Sequence, residues 1–199
     1  LALPAGADPV EGIMAPPQRG VPVALRAGEE AEVVLRYEPE AGDLAFGALG
    51  RSLQLNIAPP YRGDEEELGR AAELAAQADV AIVVVGTTEE VESEGFDRDS
   101  LALPGRQDEL VERVAAANAR TVVVVNAGAP VLMPWADDVP AILLTWFGGQ
   151  EFGHALADVL FGDAEPGGRL PTTWPASTKS LPSTQPAGGV LRYDEGLHV

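Results

Sequence analysis

Three stretches decide the fold: Asp79-Val-Ala-Ile-Val-Val-Val-Gly86, Thr121-Val-Val-Val-Val125 and Pro140-Ala-Ile-Leu-Leu-Thr145. Each is a short apolar run, rich in β-branched residues, with no polar alternation. A strand with one wet face alternates, so such runs predict strands covered on both faces. The segments around them have a helical rhythm instead. From Asp64 to Ala78 the residues Leu68, Ala71, Ala72 and Leu74 recur at helical spacing, with Asp64 placed to cap the start. From Gly105 to Asn118 the face is Leu110, Val111, Val114 and Ala115, and from about Gln150 to Leu160 it is Phe152, Leu156 and Leu160. Strands alternating with helices predict an α/β fold, a mostly parallel sheet flanked by helices. Each run ends in a Gly-bearing loop, at Gly86, Gly128 and Gly148-Gly149. Open α/β sheets collect ligands at the carboxyl edges of their strands, so chemistry is sought in those loops.

The flanking sequence differs in texture. Residues 1–60 hold eight of the 17 prolines and three alternating stretches: Val21 to Arg26, Ala31 to Tyr37 and Ser52 to Ile57. They read as antiparallel strands, an all-β remnant of a larger structure. The expected division is therefore 1–60 all-β, 61–178 α/β, and 179–199 a connector with the end of the α/β domain. The chain starts at Leu1 rather than Met, and we expect it to be a piece of a longer protein.

Composition excludes several classes. The 199 residues carry 13 Lys and Arg against 31 Asp and Glu, a net charge of −18. Nothing in such a chain releases counterions from a nucleic acid, and an anionic membrane surface is disfavoured for the same reason. The absence of cysteine excludes disulfides, thiolate metal sites and a cysteine nucleophile. The apolar runs are far too short to span a bilayer. The compartment stays open on this evidence of composition.

The densest chemical signal follows the first run. Thr87 to Asp99 contains Glu89, Glu90, Glu92, Glu94, Asp97 and Asp99 with a single Arg98. Crowded carboxylates raise one another's pKa, and a Glu that keeps its proton near neutral pH can donate it to a leaving group. Arg98 would hold or orient one of the carboxylates. The same loop also reads as a solvated acidic segment, or as oxygen ligands for a divalent cation, although the calcium-loop spacing is absent. Gly148-Gly149 and Gly153 before a helix invite an anion, but no phosphate-binding glycine motif follows any strand, which favours a tight turn with close helix packing. His154 and His198 are the only histidines, with no serine elbow to make a triad. Trp146 and Phe147 border a Gly loop and are candidates to line the apolar face of a sugar, while most of the other aromatics belong to the core.

Taken together and in order, several blocks resemble the C-terminal α/β sandwich domain of family 3 glycoside hydrolases. They are Ser93-Glu-Gly-Phe-Asp-Arg98, Leu101-Ala-Leu-Pro-Gly-Arg-Gln107, Val122 to Val131 with Pro134-Trp135, Trp146-Phe-Gly-Gly-Gln-Glu-Phe-Gly153, Ala157 to Gly162, Pro166 to Pro175 and Tyr193-Asp-Glu-Gly196. Residues 1–60 resemble, less closely, the closing strands of a PA14-type insert carried by some members.

The resemblance implies a fragment of a retaining β-glucosidase that needs no metal or organic cofactor. Its partners would be a β-glucoside or other glycoside and a barrel domain carrying an Asp nucleophile, which these residues lack. Glu94 matches the family's general acid/base, with Glu92 as the rival; Asp97 and Arg98 support it. Alone, the chain is expected to be inactive. The alternative from another class is a non-catalytic carbohydrate-binding or scaffolding domain.

Overall fold

A computed structural model describes residues 19–36, 55–57, 60–88, 90–93, 96–180 and 187–192. The chain divides into two units, Leu1–Pro59 and Pro60–Val199. In the first, the described residues are exposed and form no strand ladder. They include a turn in which Glu29 N–H donates to Arg26 O at 3.0 Å, with Gly28 at φ 82°. The remaining residues of the three alternating stretches, Tyr37 and 52–54, lie outside the described residues.

The second unit is built on a parallel sheet of three strands in the order β1 (Ala81–Gly86), β2 (Thr121–Asn126), β3 (Ala141–Leu144). The register is level: Gly86 pairs with Asn126, and Val125 with Leu144. Helices α1 (Asp64–Gln77) and α2 (Gln107–Ala117) pack on each other, and α2 packs on β1 and β2. The core between them is Ala75, Ala81, Val83, Val85, Val111, Val114, Val123 and Val125, closed at one end by Val131 and Trp135. Trp135 is buried because its indole N–H has a partner, Asp108 Oδ1 at 2.8 Å, so burial leaves no orphan donor. Helix α3 (Phe152–Phe161) follows β3.

Four expectations need correction. Asp64 does not cap α1: Gly63 holds that position, and Asp64 is the first helical residue, accepting from Tyr61 Oη. Four acids, Asp64 to Glu67, then face the positive end of the helix dipole. Second, β1 is covered on one face only. Ala81, Val83 and Val85 are buried, whereas Ile82 and Val84 are 46% and 57% exposed. The run is uniformly apolar, but burial needs a partner layer, and only one face of β1 has one. Third, α3 buries no residue, and Phe161 at its end is exposed. Leu74, expected on the buried face of α1, is also exposed; Leu68 and Ala75 take that role.

Candidate functional site

The level register sends three loops out from one edge of the sheet. The base of the first is fixed by Gln107. Its Oε1 accepts from Gly86 N–H at 2.7 Å, and its Nε2 donates to Gly86 O at 2.9 Å and Pro104 O at 3.0 Å. The first residue of α2 thus takes the place of a strand neighbour for the last residue of β1. On the other side a Cβ at Gly86 would lie 2.0 Å from Asn126 O, so only glycine fits there.

From this base the acidic loop winds one turn, with Thr88 O accepting from the N–H groups of Val91 and Glu92 at 2.9 Å each. Ser93 and Phe96 then form an antiparallel bridge. Glu94, Gly95 and Glu89 lie outside the described residues. Asp97 is exposed. Arg98 turns inward: its Nη1 donates to Glu92 Oε1 at 2.9 Å and to Pro130 O at 3.3 Å. The other Glu92 oxygen, Oε2, accepts from Gly128 N–H at 3.0 Å. The two side chains are only 11% (Glu92) and 10% (Arg98) exposed, so this pair is largely shut off from water.

The third loop meets the first two. A Cβ on Gly128 would lie 2.6 Å from Glu92 Oε2 and 2.7 Å from the ring of Phe147. Glu92, Gly128 and Phe147 thus crowd one point at the strand edge. Phe147 is otherwise open to solvent. Trp146 is half-buried and stands edge-on to Trp174, centroids 5.6 Å apart at 75°. Its φ of 55° is the one positive value among the described non-glycine residues, a strained conformation for a bulky side chain. Gly148 is needed for close packing against Phe152, in keeping with the tight turn and close helix packing expected there. His154 is exposed beside Glu151 at 3.3 Å.

Among the described residues five buried polar atoms have no hydrogen-bond partner: Thr87 Oγ1, Asn126 Oδ1, Arg98 Nε and Nη2, and Trp174 Nε1. All belong to residues at this edge or packed against it. Buried polar groups are rarely left without a partner. Sequence reasoning singled out Glu92, Arg98, Trp146 and Phe147, and the structure brings their loops together. It quoted Gln107, Gly128 and Trp174 only as parts of matching blocks. Nothing in their residue types signals their roles, which depend on neighbours 20 or more residues away.

The Glycosyl hydrolase family 3 C-terminal domain matches residues 5–199. The chain belongs to glycosyl hydrolase family 3. Over 189 residues, 89% of the chain, it is 41% identical to a β-glucosidase of Rhizobium radiobacter. Over 185 residues it is 48% identical to a probable β-glucosidase I of Aspergillus clavatus. It spans 22% of the length of each of these relatives. The crystal structure of the Kluyveromyces marxianus β-glucosidase in complex with glucose superimposes with a TM-score of 0.57 at 46% identity, covering 58% of this chain and 14% of that one. A β-D-glucoside glucohydrolase of Trichoderma reesei matches at 32% identity and a TM-score of 0.54, over 65% of this chain and 19% of that one. This family 3 domain is therefore homologous to β-glucosidases over most of its length.

Proposed function

We propose that the chain supplies the general acid/base to a retaining β-glucosidase, and that the residue is Glu94. The observation that carries this reading is the family match over 5–199 with the block Ser93-Glu-Gly-Phe-Asp-Arg98 in its loop after β1. In that reading an Asp of a barrel domain, outside these residues, attacks the anomeric carbon. Glu94 gives its proton to the departing glycosidic oxygen, leaving a glycosyl-enzyme ester. The Glu94 carboxylate then takes a proton from water, whose oxygen displaces the Asp. The two carboxyls stand about 5–5.5 Å apart in the complete site. Trp146 and Phe147 offer apolar surface to the sugar, and Asp97 and Arg98 support the loop. Residues 1–60, in the same reading, end a PA14-type sandwich that shapes the entrance, 61–178 form the α/β domain, and 179–199 connect onward.

The test is Glu94→Gln and Glu94→Gly in the full-length enzyme. Loss of a general acid costs about 10²–10⁴-fold, so hydrolysis of glucosides with poor leaving groups falls by that order. Activated aryl glucosides, which need no proton, lose far less at the first step, and azide restores part of their turnover as β-glucosyl azide. Equal slowing for both substrate classes, without azide product, sinks the assignment. An intact full-length protein that binds glucosides without cleaving any would favour the non-catalytic reading.

A further inference from the structure

We propose that Glu92 and Arg98 form a clamp that positions the acid/base turn, and that Glu92 itself exchanges no proton with substrate. The inference rests on the reading of Glu94 as acid/base.

The first argument is the use of oxygens. A general acid must present an oxygen within hydrogen-bond reach of the leaving group. Both oxygens of Glu92 are spent inside the protein, Oε1 on Arg98 Nη1 at 2.9 Å and Oε2 on Gly128 N–H at 3.0 Å. The side chain is 11% exposed. Glu92, the acid nearest to Glu94 in the sequence, is thereby committed to structure.

The second argument is where the pair stands. Ser93 bridges Phe96, with Glu92 just before the bridge and Arg98 two residues after it. Glu92 is tied to Gly128, and Arg98 Nη1 to Pro130 O at 3.3 Å. Glu92 and Arg98, on either side of the bridge, are thus both fastened to the loop that leaves the central strand, which anchors them to the sheet. Catalytic groups need this, because a displacement of about 1 Å can cost about 10²-fold in rate.

The test uses Glu92→Gln, Arg98→Met, Arg98→Lys and the double variant Glu92→Gln/Arg98→Met in the full-length enzyme. We expect kcat on poor leaving groups to fall about 10- to 100-fold in each of the two disruptive single variants, as for a misplaced group, with KM within about twofold. Arg98→Lys keeps the charge and recovers part of the loss. The double variant is no slower than the worse single, since the two residues act as one unit. It is also the folding control, because removing one partner alone leaves the other charge buried. No β-glucosyl azide forms from Glu92→Gln, because the Glu94 carboxylate still occupies its place and repels the anion.

Formation of glucosyl azide by Glu92→Gln overturns the proposal and makes Glu92 the acid/base. So does an unchanged kcat in both single variants, or a double variant whose loss is the product of the two. A purely structural pair would lower Tm and leave the dependence on leaving group as in wild type, which also overturns it. Failure of Glu94→Gln to show leaving-group selectivity or azide product is a separate result, and it sinks the underlying assignment instead.

Discussion

Gly128 carries a constraint that its backbone angles do not reveal. The carboxylate it crowds is held by Arg98 and the ring beside it belongs to Phe147, so neither neighbour is a free flexible tip. Gly128→Ala should therefore cost about 1–3 kcal/mol, as overpacking generally does. Gly149→Ala is the matched control, because nothing lies within 4 Å of a Cβ there. Denaturant midpoints of the two variants check this: equal midpoints would mean that the loops move apart without cost. The same residue shows why the sequence left two acids in contention. Glu92 and Glu94 are two positions apart in one acidic run and look alike in any local reading. What holds Glu92 is a backbone N–H 36 residues further on, and no spacing rule points that far. Trp135 was legible as core from its type alone; Phe161 was not legible as exposed, since apolarity states only what a residue prefers.

At the scale of elements, the pairing of α1 with α2 rests on an exposed charge network as well as on Ala75, Val111 and Val114. Arg106 and Arg113 on α2's side both reach Glu65 of α1 and Glu109 of α2. Hydrogen bonds from Arg106 first, then Arg113, hold the carboxyls of Glu65 and Glu109 below their ordinary value of 4.5. The sign follows from linkage: a folded-state pKa below the unfolded one gives stability that is present above the unfolded value and lost as pH falls through the folded one. We expect wild type to lose stability below about pH 4.5 more steeply than Glu109→Gln, and 1 M salt to shrink the difference. Chemical denaturation at pH 7, 5, 4 and 3 checks it; parallel curves would discard the network as a stabilising element. The helices themselves were legible from apolar spacing, to within two residues at most ends. The cap of α1 was not, because Asp64 has two offers, the helix N-terminus and the Tyr61 hydroxyl, and the structure gives it the second.

At the largest scale, the second unit is an α/β sheet with an open face. The parallel sense of the sheet was legible from the alternation of strands and helices; the order β1-β2-β3 was not predicted. The one-sided burial of β1 was not legible either, because the run Val80 to Val85 is equally apolar on both faces. Val80, Ile82 and Val84 leave a patch that water must cover in the isolated chain. The 199-residue chain by itself should therefore self-associate. Ile82→Thr/Val84→Thr should suppress this at little cost to the fold, within about 1 kcal/mol, since threonine suits strands and surface changes are usually small. Sedimentation of the two proteins at rising concentration checks it. Self-association unchanged by the double substitution would place the sticky surface elsewhere.

The flush ending of the three strands has a consequence for how the sequence can drift. Three loops that leave from one level floor can change length separately, since an insertion in one shifts no strand and so no other exit. The ties from Glu92 to Gly128, from Arg98 to Pro130 and from Leu132 N–H to Leu101 O at 2.8 Å break that independence for the first two loops. Outside residues 92–101, 128–132 and Phe147, insertions and deletions stay local to their own loop. Inside them, a change in the first loop must be answered in the second, and descendants of this chain should alter the two together or neither.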